Sequence, residues 1–194
     1  MLTIIMAARA LKFITPGQYL EMEVQADEKH EYFDGQVIAM AGAREAHNRI
    51  VANLMREIGV FLKGKTCDVF PSDLRIATPK SNSYMYPDIS IVCGEMQKKE
   101  GEFDTCTNPS VIIEVMSEST RDKDRGYKYF YYQQIPSIKE YILIDSANYF
   151  VQSVYRQPDD SWKFNTIEDI NADLTIHTIG SSLPLSDIYY RVTF

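Results

Sequence analysis

The chain has no apolar stretch long enough to cross a membrane: its longest uncharged apolar run, Leu2 to Ala8, is seven residues, against the roughly 20 that a spanning helix needs. No Lys or Arg precedes that run and no polar region leads to a cleavage site, so it does not read as a secretory leader. The expected location is the cytoplasm. Cysteine is scarce, with only Cys67, Cys93 and Cys106. An odd number at wide spacing, without a CxxC pair or a histidine cluster, predicts reduced thiols and argues against a disulfide or zinc scaffold. Positive charge is in deficit: 20 Lys and Arg stand against 27 Asp and Glu, a formal charge of -7. The field of the whole molecule repels polyanions, so a nucleic-acid partner would have to be met by a local basic groove. Repeats, low-complexity tracts and Pro/Gly-rich linkers are missing as well. What remains, 194 residues of which 45% are apolar and 24% charged, suffices for a buried core. The expected organisation is an N-terminal extension over residues 1–14 and a single domain over 15–194.

Thr15-Pro16-Gly17 opens a helix that runs to Gln25, with Thr as N-cap and Pro at the first helical position. Glu31-Tyr32-Phe33 and Gln36 to Met40 are two β-prone runs joined by Asp34-Gly35, a two-residue hairpin turn. From Ala43 to Leu62 the residues Ile50, Leu54, Ile58 and Phe61 recur at the spacing of one helix face, and Gly64 stops the pattern. Three β-rich runs follow: Thr66 to Ala77, Met85 to Val92 and Ser110 to Met116. The last contains Val-Ile-Ile-Glu-Val-Met and reads as a strand covered on both faces. A helix from Ser119-Thr120 to Gln134 leads to a strand over Ile138 to Asp145. Strand, helix and strand in that order predict a right-handed crossover and two parallel strands. Tyr149 to Tyr155 and Trp162 to Glu168 flank Pro158-Asp159-Asp160 as a second hairpin, and short extended pieces follow from Leu174. The fold class is mixed α/β (α+β).

One carboxylate, Glu114, lies inside the most apolar strand, where an ionised acid is costly unless a cation or strong donors offset its burial. Asp88, directly after Pro87 and ahead of Ile89 to Val92, is a second acid in an apolar setting. If the two strands are neighbours, both carboxylates can point into one cleft. That is the outline of a hard-cation site, because Mg2+ takes one or two carboxylates and keeps waters for substrate phosphates. The plainer reading, that Asp88 merely begins a strand, leaves Glu114 unexplained. His47 shares a helical face with Ile50, Val51 and Leu54 and reads as packed or hydrogen-bonded rather than as a ligand. Asp73 and Arg75 either pair with each other or face solvent.

Tyr86-Pro87-Asp88 followed by Glu114-Val115-Met116 resembles the PD-(D/E)xK signature of restriction-endonuclease-like nucleases. The wider series Glu31-Tyr32-Phe33-Asp34-Gly35, Ser72-Asp73-Leu74-Arg75, Tyr86-Pro87-Asp88, Glu114-Val115, Ser117 to Thr120, Lys128, Glu140-Tyr141 and Asp145 is similar, over Thr15 to Tyr190, to the Uma-type endonucleases. The resemblance implies a restriction-endonuclease-like mixed β-sheet flanked by helices, a divalent metal (Mg2+ or Mn2+), DNA as substrate and a homodimer. It also implies that Asp88 and Glu114 bind the metal and that Glu31 completes the shell.

Where the signature has Lys, two positions after Glu114, this chain has Met116, which carries no charge yet shares the strand face of Glu114. A lysine of the following helix is the expected substitute. Arg121, Asp124, Lys128 and Tyr132 share one helical stripe, whereas Tyr127, Phe130 and Tyr131 form the expected buried edge. Lys128 is the candidate, orienting or deprotonating the attacking water and steadying the phosphate, and Lys123 is its competitor. Plainer readings stand beside these: Lys128 as a surface partner of Asp124, and Glu31 as a solvated strand residue. Three functions are consistent with the residues. One is a metal-dependent DNA endonuclease that hydrolyses phosphodiester bonds. Another is a non-cutting nuclease-fold protein that binds nucleic acid or a protein partner, for which Met116 is the main argument. The third is a self-associating protein with a structural or regulatory role.

Overall fold

The computed structural model describes residues 13–40, 42–80, 82–102, 104–117, 120–121 and 123–194. The run Leu2 to Ala8 and most of the expected N-terminal extension lie outside the described residues. No described helix is long and apolar enough to cross a membrane.

The chain starts as its sequence dictates. Helix α1 (Pro16–Gln25) is closed by a capping box in which Gln18 N–H donates to Thr15 Oγ1 and Thr15 N–H donates to the Gln18 side chain. Strands β1 (His30–Phe33) and β2 (Gln36–Ala39) form the expected hairpin. Asp34 and Gly35 at its turn have φ of 45° and 91°, both positive as a type I′ turn requires. Helix α2 (Glu45–Leu62) follows and ends before Gly64, whose φ is 78°.

The next two β-rich runs each divide. Thr66 to Ala77 yields β3 (Cys67–Pro71) and β4 (Arg75–Ala77), and Met85 to Val92 takes in the last residue of β5 (Ser83–Met85), which begins ahead of it, and most of β6 (Ile89–Cys93). The halves lie in different sheets. The breaks fall at Pro71 and Pro87, which have no N–H to donate to a continuous ladder. Beyond the short β7 (Thr105–Cys106) and β8 (Val111–Met116), a π-helical segment (Lys123–Lys128) runs into α3 (Tyr129–Tyr132) and then β9 (Glu140–Asp145). Strands β10 (Val151–Arg156) and β11 (Trp162–Ile167) make the second hairpin. The chain closes with β12 (Asp173–Ile176), β13 (Ser181–Pro184) and α4 (Leu185–Ile188).

Six strands form the central sheet in the order β11-β10-β9-β8-β6-β3, and β8 and β9 are parallel as the crossover predicts. A five-stranded sheet, β2-β1-β5-β4-β7, lies beside it. On one face of the central sheet Ile50, Leu54 and Ile58 of α2 pack against Ile91, Val111, Ile113, Val115, Ile142 and Ile144. On the other face Ile112, Met116, Tyr141 and Leu143 meet Phe33, Ile76 and Met85 of the smaller sheet together with Tyr131 and Tyr132. The buried acid Glu140 fixes the β12–β13 connection by accepting from His177 N–H, Thr178 N–H and the Thr178 hydroxyl.

Two expectations are corrected. Cys67 and Cys93 are joined as a disulfide, because the antiparallel register of β3 and β6 sets them directly opposite each other, and only Cys106 is a free, buried thiol. The expected buried edge of the helix after β8 is also different: Tyr131 is buried, but Tyr127 and Phe130 are 42% and 56% exposed. The side that packs inward carries Asp124, Lys128 and Tyr132.

Leu54 has no exposed surface and Val60, on the same helix, is 72% exposed. Leu54→Ala is expected to lower unfolding stability by about 2–5 kcal/mol, and Val60→Ala to change it by less than about 0.5 kcal/mol. Urea titration with an unchanged m-value checks both, and similar losses at the two positions would contradict the packing described for α2.

Candidate active site

Site chemistry begins on β8, whose side chains alternate between the two cores. Val111, Ile113 and Val115 enter one, while Ile112, Glu114 and Met116 take the other face. Glu114 is 3% exposed. Strand β6 runs antiparallel to β8 with Ile89 opposite Ile113, so Asp88, one residue before the strand, stands opposite Glu114. Each acid is fastened to the other's strand. Asp88 N–H donates to Glu114 Oε2 at 3.4 Å, and Val115 N–H donates to Asp88 Oδ2 at 2.7 Å. From α2, His47 brings its Nε2 to 3.2 Å from Asp88 Oδ1.

The π-helical segment supplies the cation. It is tied to β9 through the Tyr141 hydroxyl, which donates to the Asp124 carbonyl at 2.8 Å, and Arg121, two residues ahead of it, places Nη2 2.5 Å from Asp145 Oδ2. In this wider winding, whose hydrogen bonds run i→i+5, Asp124 and Lys128 both turn inward. Lys128 Nζ lies 2.9 Å from Glu114 Oε1, 2.9 Å from Glu31 Oε1 and 3.7 Å from Asp124 Oδ1. The Tyr132 hydroxyl donates to the same Glu114 oxygen at 3.1 Å. Glu31 reaches the cluster from β1, accepts from Tyr86 N–H at 3.3 Å, and is paired through its other oxygen with Lys123.

Four carboxylates thus meet two ammonium groups and one imidazole, mostly out of water. Burial pushes the Glu114 carboxyl well above the usual range; Lys128 opposes this, and the neighbouring acids Asp124, Asp88 and Glu31 add to it. Asp124 is raised for the same first reason. Burial also raises Glu31, but Lys128 and Lys123 outweigh it and leave that carboxyl below its ordinary value. Lys128 is driven well above an ordinary lysine, since Glu114, Glu31 and Asp124 overcome the burial that disfavours its charge. His47 is raised as well, burial being outweighed by its hydrogen bond to Asp88.

The structure therefore brings Glu31, Glu114 and Lys128 into contact and sets Asp88 beside Glu114. Both Glu31 oxygens are committed to lysines, and Glu31 is linked to Asp88 indirectly, through Lys128 and Glu114 and through Tyr86 N–H. Lys128 is buried rather than a surface partner of Asp124. His47 is hydrogen-bonded, and its partner is a site acid. Asp73 and Arg75 do not pair with each other: Asp73 pairs with Lys29, and Arg75 Nε donates to Thr105 Oγ1 at 2.9 Å. Asp124 and Tyr132 belong to the same cluster and were not singled out by the sequence, though their shared stripe with Lys128 marked them: a polar stripe on a short helix covering a sheet with one buried acid has a reason to face inward.

Among the described residues, no three His, Cys, Asp or Glu side chains make a metal cage by themselves. The donor set of Asp88 and Glu114 is hard carboxylate oxygen, and one or two such ligands suit Mg2+ or Mn2+ when waters complete the shell. The surplus of acids over ammonium groups favours an added cation at this place.

A family model described as "Uma2: Putative restriction endonuclease" matches residues 16–186. The chain belongs to the Uma2 family. Relatives of this Uma2 protein include "Uncharacterized protein sll1609" of Synechocystis sp., 34% identical over 169 residues that span 87% of this chain and 96% of the relative. "Uncharacterized protein slr1290" of the same organism is 32% identical over 181 residues, 93% of this chain and 94% of that protein. The structure is similar to "a putative nuclease belonging to DUF820 from Anabaena variabilis ATCC 29413", with a TM-score of 0.77 at 18% identity, covering 93% of this chain and 99% of that one. At that identity the likeness carries the fold, and the restriction-endonuclease-like sheet expected from the sequence is the fold this Uma2 chain has.

Lys128→Met would leave Glu31, Glu114 and Asp124 without their shared cation, with an expected loss of about 3–5 kcal/mol at neutral pH. Glu114 and Asp124 would then lose the cation that opposes their burial and titrate further above their unfolded values, while Glu31 keeps Lys123, so the folded state would bind more protons and gain stability as pH falls. Urea unfolding of the variant from about pH 8 to about pH 5 should show the deficit shrinking. A deficit that is flat or grows on acidification would mean that Lys128 does not neutralise these acids.

Proposed function

We propose that this Uma2 protein is a DNA endonuclease that hydrolyses phosphodiester bonds with Mg2+ or Mn2+, and that residues 15–194 act as one unit. The observation that carries the reading is the position of Lys128, 2.9 Å from both Glu114 and Glu31. In this reading Lys128 supplies, from the next helical segment, the positive charge that Met116 does not carry. Asp88 and Glu114 would hold the metal. When bound, that ion offsets charge on the phosphate and lowers the pKa of water to generate hydroxide.

The chain's own residues supply orientation and a fixed ammonium. His47 holds one Asp88 oxygen and Val115 N–H the other, so the carboxylate cannot swing away. Glu31 and Glu114 keep Lys128 charged, which makes it a donor to a phosphate oxygen or to the attacking water rather than a proton acceptor. In this reading Glu31, expected from the resemblance to complete the metal shell, acts through the lysines it holds. Cleavage of both strands takes two such sites, which a homodimer would supply. Met116 favours the second reading, a nuclease fold that binds without cutting, only if Lys128 does not replace the missing lysine.

Asp88 is partly exposed, so Asp88→Asn should fold, lose Mn2+-dependent cleavage by orders of magnitude, and lose the rise in melting temperature that millimolar metal gives the wild type. Lys128→Arg keeps the charge without a dissociable proton and should retain part of the cleavage that Lys128→Ala loses, while Lys123→Ala keeps measurable activity. Loss in Lys123→Ala with retention in Lys128→Ala would transfer the role to Lys123. If wild type cuts neither single-stranded, double-stranded nor supercoiled DNA with either metal, the non-cutting reading replaces this one.

A further inference from the structure

A site with more acids than ammonium groups does not by itself attract a polyanion from solution, and the chain as a whole carries -7. Positive charge is nevertheless concentrated in one place. Residues 44–65 together with Arg191 contain six Lys or Arg and two Glu. Arg49 and Arg56 of α2 and Lys63, the C-cap residue just after it, are seven residues apart, so they follow one line down the side of the helix turned away from Ile50, Leu54 and Ile58. Arg56 and Lys63 are exposed, and the Arg49 side chain is 38% exposed.

The C-terminal segment adds a second wall. Asn53 of α2 donates to the Ile188 and Tyr190 carbonyls, both at 2.9 Å. This holds Tyr190 and Arg191 against the helix, with the Arg191 guanidinium 5.2 Å from the Tyr190 ring centre. Asn48, Arg49, Arg56, Tyr190 and Arg191 thereby line an open cleft. The arginines have donors to spare. Arg49 pairs through Nη2 with Glu45, whose side chain is 83% exposed, Arg56 pairs with the neighbouring Glu57, and Arg191 has no carboxylate partner among the described residues. Ion pairs this exposed are worth little and exchange readily for a stronger acceptor, and a guanidinium suits phosphate by its planar fork.

We infer that the outer side of α2, with Arg191, is the surface on which this protein grips the phosphate backbone of duplex DNA. Seven helical residues rise about 10.5 Å, close to the ~10.2 Å spanned by three phosphate steps of one strand along the duplex axis. Arg49, Arg56 and Lys63 can therefore meet one strand at a regular interval. The stripe begins two residues from His47, so the helix that carries the gripping surface on its outer side also touches one of the two acids, Asp88. This inference rests on the nuclease reading and names the surface that holds its substrate.

The test is fluorescence anisotropy with a labelled duplex of arbitrary sequence over a salt series in EDTA, so that binding is read without cleavage. Combined Arg49→Gln, Arg56→Gln and Arg191→Gln should reduce the slope of log K against log salt by about 2–3, roughly 0.9 for each phosphate that is no longer neutralised. Affinity at low salt should fall at least tenfold, and the melting temperature should stay put because these side chains are at the surface. The corresponding Arg→Lys variant should recover most of the slope. An unchanged slope and affinity in the Gln variant overturns the inference, and cleavage by the wild type would then leave the nuclease reading standing. Stripe-dependent binding without cleavage by the wild type does the reverse. Wild-type binding to polyglutamate as tight as to the duplex would assign the stripe to acidic partners in general and overturn the phosphate assignment.

Discussion

The fold turns on one buried carboxylate. Glu114 stands in a strand whose other five residues are all buried and apolar. Leaving it ionised and alone would cost several kcal/mol. Lys128 and Tyr132 on one side and Asp88 N–H on the other meet that demand, and each brings its own element along. Lys128 draws in Glu31 and so the β1–β2 hairpin, whose turn is further held by the Tyr131 hydroxyl on Asp34. Asp88 draws in His47 and so the start of α2. The central sheet, the smaller sheet, the π-helical segment and α2 are thus all referred to one strand position.

The same demand explains the winding after β8. A regular amphipathic helix here would bury its aromatics, and the spacing of Tyr127, Phe130 and Tyr131 suggests that arrangement. Desolvating three rings is worth less than neutralising a buried acid with a buried cation, because an unpaired charge in low dielectric outweighs the partial exposure of Tyr127 and Phe130. The segment therefore presents Asp124, Lys128 and Tyr132 inward. Tyr127 stays in edge contact with Phe33, at 5.0 Å between ring centres, and keeps some of its burial.

Local rules were legible in the chain where they act within a few residues. The Thr15 cap, the Asp34-Gly35 turn, the apolar face of α2 and the parallel pair β8–β9 follow from capping chemistry, positive φ and side-chain period, and all are found. Asp88 and Glu114 were legible as a pair because an acid among isoleucines and valines needs an explanation wherever it occurs. What failed depended on register or on competition between distant groups. Nothing across a sequence separation of 26 announces that Cys67 faces Cys93; only the alignment of β3 on β6 does. The strands divided at Pro71 and Pro87 looked continuous because hydropathy does not report a missing N–H. His47 was placed correctly on its helix, but that its outward nitrogen ends on Asp88 depends on the packing of α2 over the sheet.

In the proposed reading, Met116 shows how a signature written in sequence stands for a requirement in space. The position two after Glu114 lies on the same strand face, wholly buried among Ile112, Tyr131 and Leu143, and a lysine there would have to displace apolar packing to bring its ammonium to the acids. Lys128 reaches Glu114 from the facing segment at the distance of a direct ion pair. What such a site needs is an ammonium at a fixed distance from a carboxylate pair, and any element that crosses above β8 can deliver it. Once that ammonium is locked between Glu31 and Glu114, however, its charge is taken up in neutralising the protein's own acids, and little is left to attract a polyanion from solution. Affinity for a substrate of that kind has to be built elsewhere on the surface. In the reading proposed above, that affinity comes from the Arg and Lys of residues 44–65 together with Arg191, in a chain otherwise dominated by Asp and Glu.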